Sequence, residues 1–298
     1  MMTSATLLQL ASSFAFDAGF SWIVGNVFAR CWFTGQKSPP LLGRLLYRSQ
    51  LGAAAVCMFA MCGSLWAAAA IMTGEPLFAA RESLFKMVIQ TSYGRAAIVG
   101  TSLLIPITLL SAIPHRGRVL HSALLALLMA VGAARAFVSH GGEGGVFSLG
   151  FAVEWAHFVL TAFWVGGVCI AGWLVLPIGE ATAGHAAPFF RYLGLLSEGA
   201  TVALVGITLT GVYNALQRVG SVQNAFGNDY ATVLSIKLAF VGAAVALGGY
   251  NRLFGFPQLT AGGRSFRKVM AILRLESLLL LCALAAAVVL TTMQPPTA

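Results

Sequence analysis

Apolar runs of roughly twenty residues or more recur along the whole chain, and about twenty is the number a helix needs to cross the hydrocarbon of a bilayer. We place eight of them, at about 7–33, 45–72, 92–113, 118–139, 149–177, 190–217, 229–254 and 267–292. Inside lipid every backbone N–H and C=O must find its partner within the structure, which leaves helices or a closed β-barrel. Barrel strands would show alternating polarity in pieces of ~10 residues, whereas these runs are continuously apolar. With 58% hydrophobic and only 9% charged residues, the chain is far from the roughly 25% charged residues of soluble domains. The expected fold is an all-α membrane protein with about eight transmembrane helices, short loops and no large soluble domain.

The net charge of +9 reports topology, because the basic residues gather in particular loops. Connections after the first, third, fifth and seventh spans hold twelve of the eighteen Lys and Arg residues: Arg30, Lys37, Arg44, Arg48, Arg116, Arg118, Arg191, Arg252, Arg264, Arg267, Lys268 and Arg274. The opposite side holds Arg81, Lys86, Arg95, Arg135, Arg218 and Lys237. The positive-inside rule then puts both termini outside, on the periplasmic side of a bacterial inner membrane. This distribution gives no reason to expect a nucleic-acid partner; the lipid bilayer is the surrounding one. The first run lacks a basic leader and an A-x-A-like cleavage site, and Asp17 interrupts it, so it reads as a retained span. Cysteines 31, 57, 62, 169 and 282 all lie in or beside spans, which argues against a disulfide framework.

The two halves resemble each other. F-A-F-D17-A-G-F20 is matched by F-A-V-E154-W-A-H157, and the Tyr93 opening of the third span by the Tyr230 opening of the seventh. Both pairs share one offset, which predicts two parallel four-helix repeats, residues 1–139 and 140–298. Phe20 occupies the place of His157 in the first copy, so a site built on that histidine exists once.

The richest polar stretch joins the halves: S-H140-G-G-E143-G-G, then E154-W-A-H157 at the head of the fifth span, then W164-V-G166-G167. Glu154 and His157 are three residues apart, which puts both on one helix face. An acid and an imidazole at the mouth of an apolar segment are costly there, and so point to function. The glycine-rich linker can fold back without strain and bring His140 and Glu143 over that helix end. Imidazole with carboxylate suits Cu(II) or Zn, while the thioether of Met293 at the end of the last span favours Cu(I). A second donor set lies in the second span, where Cys57 faces Met61 and Met58 faces Cys62 at i, i+4; soft sulfur there would relay Cu(I), although Met and Cys are also ordinary packing residues. Among other polar groups in the spans, Lys237 is expected to neutralise Asp17 or Asp229, and Arg274 to pair with Glu276. His115 and His121 read as interfacial residues at the inner end of the fourth span. The sequence contains no Walker loop, Gly-rich nucleotide fingerprint, CxxC or HExxH, which disfavours ATP-driven pumping and protease chemistry; no enzyme activity is expected.

The order of these features resembles the copper resistance D family: a histidine after the fourth span, acidic-x-x-His at the head of the fifth, W164-V-G-G, then G-V-Y-N214, Y230…K237-L, N251-R252, R274-L-E276 and the T-T-M293-Q-P-P tail. The likeness is strongest over residues 139–296. It implies an inner-membrane protein of copper homeostasis that moves copper from the periplasm inward; on the residues themselves, His140 and His157 are the expected principal ligands, Glu154 and Met293 next, and Glu143 at the approach. A periplasmic copper carrier is the implied partner. Two other readings remain open at this stage: an accessory subunit that receives copper without transporting it, and a haem-bearing electron carrier, which needs two histidines at matched depth on facing helices.

Overall fold

A computed structural model of the chain describes residues 3–33, 39–113, 117–139, 144–181, 187–219, 227–260 and 266–294. Among the described residues every regular element is helical, and eight helices are long and apolar enough to cross a membrane. The protein is therefore an all-α, multi-pass membrane protein, as the apolar runs require. The spans begin with α1 (Ser4–Phe33), α2 (Pro40–Thr73), α4 (Ser92–Ala112) and α5 (Arg118–Phe137). A short α3 (Leu84–Gln90), preceded by a 3₁₀ turn over Ala79–Ser83, stands between the second and third spans.

The fifth span, Leu149–Ala181, is one helical rod interrupted by a π turn. It consists of α6 (Leu149–Ile170), the π turn Ala171–Val175 and α7 (Leu176–Ala181). The sixth is α8 (Ala187–Val219). The seventh repeats the fifth's construction, with α9 (Asp229–Tyr250), a π turn Asn251–Gly255 and α10 (Phe256–Thr260). The last is α11 (Phe266–Leu290). Among the described residues side-chain caps close four helix starts, at Thr3 for α1, Ser148 for α6, Thr91 for α4 and Asn228 for α9. Thr91 Oγ1 accepts from Gly94 N at 2.9 Å, and Asn228 Oδ1 accepts from Ala231 N at 2.8 Å, each satisfying one of the donors that a helix start leaves open.

The chain divides into two compact units that cut across helices. One unit comprises Met1–Phe20 and Leu51–Val159. In it α4 and α5 pack side by side, and Gly94 lets α4 start directly against the Met87 carbonyl and Val88, where any Cβ would collide. Gln9 Nε2 donates to Ser64 Oγ at 3.0 Å and to Tyr93 Oη at 3.3 Å, and Ser64 and Tyr93 hydrogen-bond to each other. Trp155 Nε1 donates to the Met129 carbonyl at 3.0 Å, tying α6 to α5.

The other unit comprises Ser21–Gln50 and Leu160–Ala298. Its core is aromatic: Phe28 meets Phe163 edge-on with centroids 5.1 Å apart, and Phe33 packs on Phe189 and Tyr192. Gly25 and Gly166 bring α1 and α6 into backbone contact, with Gly166 against the Ser21 carbonyl. No side chain fits at either position, which gives the W-V-G-G motif a steric reason of the kind that small residues serve between membrane helices. In the same unit α11 runs along α9 and against both π turns. Outward positions such as Phe59, Leu209 and Leu253 are apolar and exposed, as a lipid-facing surface demands.

Candidate functional site

The first unit holds an ion pair between a buried aspartate and a half-buried arginine. Asp17, in the middle of α1, accepts from Arg135 Nε of α5 at 3.3 Å. The Arg135 guanidinium also lies over the Phe158 ring, 5.9 Å from its centroid. Glu154, one turn before Phe158 on α6, is within electrostatic reach of both members of the pair. Asp17 thus finds its cation on α5, which corrects the sequence expectation of Lys237. Lys237 belongs to α9 in the other unit.

Glu154 and His157 occupy one turn of α6, both half-buried, as their spacing required. Phe20 is fully buried and stacked on Phe158, the residue after His157, with centroids 5.2 Å apart and planes 14° from parallel. The residue at the repeat position of His157 is therefore a support of the histidine's own helix turn. His140 and Glu143 lie outside the described residues. Met293 belongs to the second unit, where it packs beside Tyr230 and Leu290. There it lines an open cavity of about 320 Å³ with Asn228, Asp229, Tyr230 and Gln294. Among the described residues no group of three or more His, Cys, Asp or Glu side chains is placed to hold a metal ion. Glu154 and His157 supply two donors, and a complete coordination shell needs more.

The sulfur residues of α2 divide between two faces. Cys57 is fully buried, with Sγ donating to the Phe16 carbonyl at 3.7 Å and touching the bare Cα of Gly19. Met61 is half-buried on the same stripe, while Met58 and Cys62 are exposed. An i, i+4 pair of stripes with this split leaves one facing the protein and one facing outward.

The second unit contains a buried polar group that sequence reading did not assemble. Glu276 of α11 is only 3% exposed; Trp164 Nε1 donates to its Oε1 at 3.4 Å, and its Oε2 has no hydrogen-bond partner among the described residues. Arg274 does not pair with it, contrary to expectation. Arg274 Nε donates to the Gly172 carbonyl at 3.1 Å, and its guanidinium lies over Trp173. Residues two apart on a helix face different ways, which is why the R-L-E spacing misleads. Trp173 Nε1 donates to Ser277 Oγ at 3.0 Å, and the buried Cys169 thiol is in hydrogen-bond contact with Ser277.

Histidine geometry in the first unit bears on haem. His121 is near the start of α5 and Arg135 near its end, roughly 20 Å away along the helix. Arg135 sits over Phe158, the neighbour of His157. His121 and His157 are therefore at opposite ends of the α5–α6 pair and cannot clamp one haem between them.

Two family models match the chain. Copper resistance protein D covers residues 190–290, and the copper resistance protein D-like N-terminal domain covers residues 2–149. No curated protein and no solved structure matches it. With an N-terminal match running through the Asp17–Arg135 pair and a second match running from α8 to the end of α11, the chain belongs to the copper resistance D family of membrane proteins.

Proposed function

We propose that this protein binds copper as cargo at its periplasmic face and passes it toward the cytoplasm. His140 and His157 are the principal ligands in this reading, Glu154 a direct ligand or the acceptor that fixes the His157 tautomer, Glu143 an approach residue, and Met293 a soft donor. The observation that carries it is the turn of α6 bearing Glu154 and His157 beside the Asp17–Arg135 pair, in a chain of a copper resistance family. Intramembrane ionisable groups gathered at one level mark substrate and ion pathways. Cys57 and Met61 are the sulfurs of α2 turned toward the protein, and they are the first candidates for onward relay of Cu(I). The repeat and the basic-residue asymmetry support two parallel four-helix halves with both termini outside.

Metal analysis of the purified protein tests the site. The wild type should bind about one copper, with affinity falling as pH drops through the histidine range, near ~6.5 for an unperturbed imidazole, because the ligands must be deprotonated. His157→Ala should lose most of the metal, His140→Ala much of it, and Glu154→Gln less. Undiminished copper in both histidine variants refutes the site. Reporter fusions at Gly142 and Ala298 should report the periplasm and fusions at Ser38 and Gly263 the cytoplasm; the reverse pattern removes the inward-transport reading.

A further inference from the structure

The seam between α9 and α11 holds two buried polar side chains whose hydrogen-bonding capacity is not met. Glu276 Oε2 is one. The other is Asn251, 0% exposed, with neither Oδ1 nor Nδ2 partnered among the described residues. They lie on one stripe. A Cβ at Gly248 would sit 3.0 Å from Glu276 Oε1 and 3.4 Å from Oε2, and Asn251 follows Gly248 by one turn of the same helix. Gly255, one turn further, abuts Asn251 Oδ1, where a Cβ would sit only 2.7 Å away. Glycines at 248 and 255 therefore leave room around both groups that any side chain would fill.

Asn251 also opens the π turn of the seventh span, and the fifth span's π turn faces α11 through Gly172, where a Cβ would sit 3.2 Å from Leu273 Cβ. Single π turns inside long helices frequently mark functional sites. A buried donor or acceptor left unsatisfied costs about 1–3 kcal/mol, more if charged, so two such side chains on one stripe call for an occupant.

Charge decides what kind of occupant. No basic side chain among the described residues forms an ion pair with Glu276. Arg274 on its own helix is turned to the Gly172 carbonyl and Trp173. Arg252 of the adjoining π turn donates to the Ser197 carbonyl and to Thr201. Arg267 pairs with Glu180 of α7 at 2.8 Å. Lys237 is about three turns before Gly248 on α9, and Lys268 lies two turns before Glu276 on α11. Tyr250 is turned outward against Phe254. The titratable group that faces Glu276 is the Cys169 thiol of α6, which brings no positive charge. A carboxylate buried in a membrane helix bundle needs a cation or a proton.

We infer that Glu276, with Asn251 one turn along the same seam, forms an intramembrane site for a small monovalent cation, a proton or sodium, held at the carboxylate beside Gly248. The oxygen donors suit a hard ion, in contrast to the sulfur and imidazole groups proposed for copper. The inference does not depend on the copper reading, and its test reads the carboxyl alone.

The probe is dicyclohexylcarbodiimide, which reacts with protonated carboxyl groups in apolar surroundings, applied to the full-length protein in detergent or nanodiscs. Adducts are located by peptide mass mapping. Glu276 should be labelled, at a rate that falls at least tenfold from acid to alkaline pH, while Asp17, ion-paired with Arg135, stays unlabelled. Replacing choline chloride with sodium chloride at fixed pH separates the two ions: several-fold protection identifies sodium, and no protection identifies the proton. Glu276→Gln should remove the adduct. Because mapping locates the adduct in the wild type, the result stands even if that variant folds poorly. Asn251→Leu should shift the pH profile or abolish sodium protection. Absence of a Glu276 adduct at every pH in protein that retains its helical circular dichroism overturns the site, and an unchanged profile in Asn251→Leu removes the amide from it.

Discussion

Each unit of this protein buries a carboxylate in a membrane helix, and the two are treated in opposite ways. Asp17 is given a guanidinium at 3.3 Å, and that guanidinium also rests on the face of Phe158. Glu276 is given an indole N–H at 3.4 Å, a second oxygen with no hydrogen-bond partner among the described residues, and a bare glycine. In the first arrangement Asp17 has its counter-charge in place, with Glu154 also within electrostatic reach of the pair. The second is open. A carboxylate with a fixed cation stays ionised and serves structure, whereas one without a cation is free to exchange protons or ions. Burial alone therefore does not distinguish a structural charge from a functional one; the partner does.

The sharpest way to break this contrast is to remove the cation from the closed arrangement. Arg135→Leu leaves Asp17 buried without its partner, and breaking a buried pair from one side costs about 3–5 kcal/mol. The apparent Tm in a fixed detergent should fall by more than for any other substitution discussed below. Asp17→Leu combined with Arg135→Leu should recover most of the loss, since replacing both members of a buried pair by apolar groups is often neutral. If the double variant is no better than Arg135→Leu alone, the pair is not what stabilises this part of the unit, and the contrast with Glu276 fails.

Much of this could be read from the residues in advance, and the failures have physical causes. The spans were legible because a membrane helix is written as a continuous apolar run, and each of the eight expected runs lies within a helix found or overruns its end by no more than two residues. Glu154 and His157 fall on one turn because i, i+3 spacing fixes that locally. What depends on which helices touch was not legible. Lys237 was expected to meet Asp17 or Asp229, and Asp17 meets Arg135 instead, because the sequence marks intramembrane charges without saying which helices are neighbours. Arg274 and Glu276 were paired by proximity in the chain, although two residues apart is the wrong spacing on a helix. The π turns have no sequence signature of this kind, and α3 is too short to register as a span. Phe20 illustrates a subtler loss. The matched segments of the two halves set it opposite His157, so a Phe20 variant is the natural control for copper binding, and Phe20→Ala is the obvious choice. The ring is fully buried against Phe158, so that substitution opens a cavity beneath the histidine's turn; Phe20→Leu, with a smaller change in volume, is the better control.

A second substitution sharpens the contrast from the side of the open carboxylate. Gly248→Ala places a methyl 3.0 Å from Glu276 Oε1 and fills the space beside Oε2. Overpacking of this kind costs about 1–3 kcal/mol, a smaller effect than Arg135→Leu. Its informative readout is carbodiimide labelling of Glu276, which should fall in Gly248→Ala even where the protein remains folded. Gly242→Ala, on the same helix with no neighbour near its Cα, should leave both stability and labelling unchanged. Equal behaviour of the two alanine variants would mean that the glycine at 248 is not reserving space for an occupant.

The smallest effect is expected where intuition about buried acids would place a large one. Glu276→Gln keeps the shape of the side chain and an oxygen that can accept from Trp164 Nε1. It also orphans no cation, because no basic group is paired with Glu276 among the described residues. If the carboxyl is held protonated or ion-exchanging rather than permanently charged, its replacement by a neutral isostere should change stability by less than about 1 kcal/mol, within the range of one neutral hydrogen bond. Trp164→Phe should cost somewhat more, about 1–2 kcal/mol, because it withdraws the only hydrogen-bond donor the carboxyl has among the described residues. The order matters more than either value. Arg135→Leu must far exceed Glu276→Gln if one carboxylate is structural and the other exchangeable. A Glu276→Gln loss as large as that of Arg135→Leu would mean that Glu276 is ionised and answered by a cation after all, and both buried acids would then belong to the same closed class.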